Sequence, residues 1–107
     1  MRYDIVLAPS AVRELQALPA QVRARVRDAL ELHLRHEPTK VSKSRIKRLR
    51  GLSRPQFRLR IDDLRVFYDV TDATVEVLAI ISKAQAAEWL DERGTEEPGG
   101  SSGKGKG

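Results

Sequence analysis

The chain of 107 residues contains no cysteine. That excludes a disulfide scaffold, a thiol nucleophile and cysteine-ligated zinc, and it fits a reducing compartment. Histidine is nearly as scarce, with only His33 and His36. Their three-residue spacing could bring both to one ion, but no third ligand lies nearby in sequence. A place on a helix surface or at the edge of the core accounts for them better, and neither metal nor cofactor is expected. No apolar run approaches the roughly 20 residues of a membrane helix. Residues 3–7 enter a strand-like pattern at once, with no apolar signal core, so a cytoplasmic protein with no membrane partner is the default expectation. What remains is 40% hydrophobic and 33% charged. That is the composition of one ordinary folded domain with a small core and mostly half-buried elements.

Charge is abundant and uneven. The net charge is +5, and ten of the 20 Lys and Arg residues fall between Lys40 and Arg65. Only Asp62 and Asp63 oppose them in that window. A clustered basic stripe is the footprint of a phosphate-bearing or otherwise acidic partner. A solvated basic face that only aids solubility is the plainer alternative.

The elements follow from periodicity. Residues 3–7 form a short strand. Ser10 is a plausible N-cap for a helix whose inward stripe is Val12, Leu15 and Leu18. Pro19 opens a second helix reaching about His36, with Val22, Val26, Leu30 and Leu34 on one side. So short a link predicts a helical hairpin. Residues 39–55 are polar and basic, hold the Gly51 turn, and reach the core through Ile46 and Leu49. From Gln56 the period changes to two. Strands are predicted over 57–61, 64–70 and 74–82, followed by a last helix over 84–93. The result is an α+β domain, residues 1–93, in the order β-α-α-β-β-β-α. A small, largely antiparallel, twisted sheet packs on the N-terminal helical hairpin, with a short C-terminal helix. Residues 94–107, rich in Gly, Ser and Lys, read as a flexible tail, part of it resembling a cloning scar.

The segment FRLRIDDLRVFYDV is the most informative. Phe57, Leu59 and Ile61 alternate with Arg58 and Arg60, and Asp62-Asp63 is a turn candidate. A two-residue loop pairs Ile61 with Leu64, Arg60 with Arg65 and Arg58 with Phe67, all of the last four on one face. Like charges set opposite each other are unfavourable. The arginine stems could cover apolar surface, or Asp63 or Asp69 could neutralise one head, but neither readily explains three together. Three guanidiniums can grip a phosphate by bidentate hydrogen bonds and stabilise the added charge of a phosphoryl transition state.

With its R-x-R strand, acidic turn and following LRVFY strand, the chain resembles the RelE/ParE superfamily of bacterial toxins, closer to the RelE branch. LAPSAVRELQALP after an opening strand, the basic IKRLRGL and the later VEVLAIISK extend the likeness over residues 3–90. The gyrase-targeting ParE branch usually lacks so close a basic cluster. The resemblance implies the toxin of a type II toxin–antitoxin system, a metal-independent endoribonuclease that cuts messenger RNA in the ribosomal A site, where it meets 16S RNA. The RNA 2′-hydroxyl attacks the adjacent phosphate. Arg58, Arg60 and Arg65 fall on the family's basic hairpin residues, Lys83 on a C-terminal arginine and Trp89 on a tyrosine six residues beyond it.

Two of these are departures. Lys83 keeps a charge and a transferable proton without the guanidinium fork. Trp89 keeps a stacking surface without a hydroxyl, and could instead simply anchor the final helix. Arg58 and Arg60 stay protonated near neutrality and are poor bases. Lys43, Lys47, Arg48 and Arg50 are expected on RNA backbone, and Phe67 or Trp89 against a base. A small acidic antitoxin is the implied protein partner. The alternative is a catalytically weak relative that binds RNA or ribosomes, or poisons gyrase.

Overall fold

The computed structural model describes residues 1–97. Strand β1 (Asp4–Leu7) leads into helices α1 (Pro9–Gln16) and α2 (Ala20–Leu34). Short strands β2 (Ile46–Arg48) and β3 (Leu52–Arg54) precede the long β4 (Phe57–Ile61), β5 (Leu64–Thr71) and β6 (Thr74–Ser82). Helix α3 (Lys83–Arg93) and β7 (Thr95–Glu96) close the described chain. The expected α+β order is present, with three short strands added to it.

The main sheet runs β1-β6-β5-β4-β2, antiparallel except for the parallel β1–β6 pair. Alternation sorts its two faces. Leu59, Val66, Tyr68, Val75 and Val77 are fully buried against Ala11 and Leu15 of α1 and Val26, Leu30 and Leu34 of α2. Each such side chain contributes about 1.5–3 kcal/mol on burial. The opposite face carries a smaller apolar patch of Phe67, Ala79 and Ile81, covered by Leu49 and by Ala86, Trp89 and Leu90.

A bulge re-aims β6. Between Phe67 and Tyr68 the partner slips from Ala79 to Val77, leaving Leu78 as the extra residue. Just there β1 ends at Leu7, opposite Val77. Side chains of α1 then serve the exposed edge of β6. Ser10 Oγ donates to the Leu78 carbonyl at 3.1 Å, and the Ile80 N–H donates to Glu14 Oε1 at 2.8 Å. Ser10 is therefore not the N-cap: α1 begins at Pro9 behind Ala8. Helix α2 ends at Leu34, two residues short of the expected limit. Helix α3 begins one residue early, because Ser82 and Gln85 form a capping box.

The segment after Arg93 also departs from expectation. Thr95 and Glu96 pair with β3, and the Glu97 N–H donates to the Gly51 carbonyl at 3.1 Å. Two glycines permit this. Gly51 turns at φ 77, and a Cβ on Gly94 would lie 2.6 Å from the Leu90 carbonyl oxygen. Residues 94–97 thus tie the end of α3 to the basic segment before β4. The rest of the expected tail, residues 98–107, lies outside the described residues.

One buried polar bond fastens the α2–β2 connection to the core. Tyr68 Oη donates to the Pro38 carbonyl at 2.7 Å, and burial pushes the phenol pKa well up. Tyr68→Phe should lower stability by about 1–2 kcal/mol, because it leaves that carbonyl without its donor. Denaturant unfolding measures this, and an unchanged midpoint contradicts it.

Candidate nucleic-acid interface

The register of β4 and β5 sets the site. Ile61 pairs with Leu64, Arg60 with Arg65 and Arg58 with Phe67, and β2 adds Lys47 opposite Arg58. Because Phe57, Leu59 and Val66 point to the helices, Arg58, Arg60, Arg65 and Lys47 share the other face. The two-residue turn is made possible by Asp62 at φ 51, a conformation that Asp tolerates better than most residues.

The turn also fixes its surroundings. Arg65 is 8% exposed, and its Nη1 donates to the carbonyls of Asp62 at 3.0 Å and Leu64 at 2.9 Å. The Lys83 N–H donates to the Asp63 carbonyl at 2.7 Å, holding the first residue of α3 against the turn. The Asp62 carboxylate faces away to Arg25 Nε at 3.4 Å.

Among the described residues, no carboxylate lies within ion-pair distance of Arg58, Arg60, Arg65 or Lys47. Asp69, which shares their face, is taken up elsewhere: Arg54 Nη1 lies 3.1 Å from one oxygen and the Gln56 N–H donates to the other at 2.7 Å. Arg58 feels the consequence. Burial first, then the charges of Arg65 and Arg60, pull its pKa below the ordinary guanidinium value, and its buried Nε has no hydrogen-bond partner. An unmet buried donor costs about 1–3 kcal/mol. An anion at this point would meet that donor and relieve the repulsion.

The remaining sequence-predicted residues divide. Lys47 joins the patch, and the Lys83 backbone is bonded to its turn. Phe67 is not open to a base. It is 1% exposed, with its ring stacked on Trp89 at 5.0 Å between centroids and 2° between planes. Trp89, half-buried, anchors α3 to the sheet through that stack. Arg48 pairs with Phe57 and so lies on the helix side, its guanidinium 5.3 Å from the Phe57 ring centroid and its Nη1 donating to the Gln56 carbonyl at 2.9 Å. Lys43 and Arg50 are exposed and have no ion-pair partner among the described residues. Sequence reasoning missed the Arg54–Asp69–Gln56 network, whose only signal was a carboxylate on the same strand face as Arg65. Among the described residues no cluster of three metal-ligating side chains occurs, and no helix is long and apolar enough to cross a membrane.

The sequence model of the ParE toxin of type II toxin–antitoxin systems matches residues 5–87, and the chain belongs to this family within the RelE/ParE superfamily. Solved structures agree. The RelBE2 toxin–antitoxin complex of Mycobacterium tuberculosis is 27% identical, with 77% of this chain and 99% of that one covered at a TM-score of 0.61. The archaeal RelE–RelB complex of Pyrococcus horikoshii is 28% identical, with 79% and 99% covered at 0.60. An arginine-to-alanine double variant of Escherichia coli RelE in the free state is 25% identical, with 86% and 94% covered at 0.64. No curated protein matches.

The Asp69 network makes a pH-dependent prediction. Burial raises the Asp69 pKa against the opposing pull of the Gln56 N–H and Arg54. A carboxyl raised in the folded state contributes stability below its unfolded pKa, and loses that contribution as pH rises through the folded value. Asp69→Asn keeps an acceptor for Gln56 and removes the buried charge. It should be at least as stable as wild type at pH 7, with no advantage near pH 3; a loss above about 1 kcal/mol at pH 7 contradicts the assignment.

Proposed function

We propose that this toxin is a ribosome-dependent messenger RNA endoribonuclease of the RelE kind, acting in the cytoplasm and held in check by a cognate antitoxin. The observation that carries the reading is the arginine face: three guanidiniums without a carboxylate, one with a buried donor unmet. In the reaction implied by the RelE resemblance, the RNA 2′-hydroxyl gives up its proton to solvent water and attacks the adjacent phosphorus. The bond to the 5′-oxygen breaks, leaving a cyclic phosphate and a 5′-hydroxyl.

Arg58 and Arg60 hold the scissile phosphate. Arg65, its guanidinium fixed by the turn carbonyls, stabilises the charge that builds on the phosphoryl oxygens. Lys83 at the start of α3 gives a proton to the departing 5′-oxygen. The exposed part of Trp89 stacks a base. Among the described residues no carboxylate lies within ion-pair distance of the three arginines, so charge stabilisation and positioning carry the rate. One such donor is worth about 10²–10³-fold. The relatives solved as toxin–antitoxin complexes support an antitoxin here, and a basic face calls for acidic antitoxin side chains over it.

The missing base and the ParE family match favour a second reading: a toxin that grips RNA or the ribosome without cutting, or that poisons gyrase. Primer extension on translated messages separates the two. The first reading predicts stops at A-site codons, lost by 10²-fold or more in Arg65→Ala. Intact transcripts at toxic expression, or inhibited supercoiling in vitro, contradict it.

A further inference from the structure

We propose a second phosphate-binding site, a cavity at the end of α2 that takes the RNA backbone after it passes round the edge strand β2. It rests on the reading of the arginine face as an RNA site. The cavity is an open groove of about 260 Å³ between the end of α2 and the loop before β2, and its walls include His33, His36, Glu37, Lys40, Ser42 and Arg45. Both histidines of the chain lie here.

Several donors in this cavity have capacity left for an anion. The Arg45 guanidinium meets no acceptor among the described residues; only its backbone is engaged, with its N–H donating to Ser42 Oγ at 3.0 Å. Ser42 Oγ also accepts from the Ile46 N–H at 3.1 Å, while the Ser42 N–H donates to the Ile46 carbonyl at 3.0 Å. The turn is therefore closed and preorganised. With two N–H groups on its oxygen, Ser42 has its hydroxyl proton left to give to an anion. His36 Nδ1 lies 3.1 Å from the Met1 carbonyl and therefore donates to it, so Nε2 can meet an anion only when the ring is an imidazolium. Lys40 is paired only with Glu37, at 3.7 Å and largely exposed. So exposed a pair is weak and yields to a stronger anion.

His33 has no hydrogen-bond partner among the described residues. Burial, then the charge of Arg45, lowers its pKa. The charged and titratable groups around it are His36 and Glu37 just past the end of its own helix, Lys40 in the loop, and Arg45 before β2. Of these only Glu37 is acidic. A phosphate would reverse the balance and draw a proton onto the imidazole. The end of α2 presents carbonyls, which suit protonated histidines and disfavour anions, so side chains must hold the phosphate.

The path to the arginine face is short. The Arg60 N–H donates to the Arg45 carbonyl at 2.8 Å, and Lys47 lies opposite Arg58. Strand β2 is the last strand of the sheet, and neighbouring strands sit only about 4.8 Å apart. Arg60, Arg58, Lys47, Arg45 and Lys40 therefore lead round one edge, from the face that holds the scissile phosphate to the cavity on the helix side. A solvated basic surface explains exposed lysines. It does not explain a groove with a pinned serine turn and a half-buried imidazole that has no hydrogen-bond partner among the described residues.

With only two histidines, imidazole NMR on the full chain reads the cavity directly. Inorganic phosphate, and separately a single-stranded RNA of about 12 nucleotides, should shift both imidazoles and move the His33 titration midpoint upward. Arg45→Ala and Lys40→Ala should each weaken the response at least several-fold. Arg60→Ala/Arg65→Ala should keep the phosphate response while weakening RNA binding. Unmoved imidazoles overturn the proposal, as does a wild-type response in Arg45→Ala or a response to phosphate but not to RNA. The readout is independent of cleavage, so a chain that shifts here but leaves messages intact supports the cavity and sinks only the enzymatic reading.

Discussion

Repulsion among cations on one face of a sheet is the constraint to which much of this structure answers. Unit charges about 5 Å apart, the spacing of cross-strand neighbours, repel by about 3 kcal/mol at an effective dielectric of 20. Arg58 registers that repulsion together with its own burial in a lowered pKa and an unmet Nε. The face persists because its strands are held from behind. Leu59, Val66 and Tyr68 are fully buried in the core under α1 and α2, so the alternation that hides them obliges Arg58, Arg60 and Arg65 to point the other way. Of the nearby acids, Asp62 pairs with Arg25 and Asp69 with Arg54, and none lies within ion-pair distance of the three arginines among the described residues.

The same face is bounded by α3, and several independent features hold that helix in place. Phe67 stacks on Trp89, Ser82 and Gln85 cap the first turn, the Asp63 carbonyl takes the Lys83 N–H, and β7 pairs with β3 beyond the last turn. Lys83 and Trp89 are therefore carried on a braced element. The Phe67 ring is spent on bracing, which leaves Trp89 as the aromatic that can still offer surface to a base.

Much of this was legible in the sequence because it is local. A period of two over Phe57–Ile61 and a two-residue acidic turn were enough to give the Arg60–Arg65 register, which the structure reproduces. Pairings that depend on distant contacts were not legible. Nothing in residues 4–7 announces a parallel partner seventy positions later, and the bulge at Leu78 leaves no mark in an unbroken apolar run. Ser10 has the residue type of an N-cap, yet its hydroxyl is claimed by a β6 carbonyl that only the tertiary fold delivers. Phe67 read as a possible stacking platform because strand parity gives its face but not what covers that face. Residues 94–97 read as tail because a two-residue strand has too little sequence to show a period.

The most direct test of the arginine face is the salt dependence of RNA binding by the single-site series Arg58→Ala, Arg60→Ala and Arg65→Ala, measured against wild type. For a single strand, each phosphate contact contributes about 0.7 to the slope of log K against log salt. If the three guanidiniums meet phosphate, each substitution should flatten the slope by roughly that amount and weaken binding across sequences. A slope unchanged in all three would mean that the repulsion is tolerated for some other reason and that phosphate does not bind at this face.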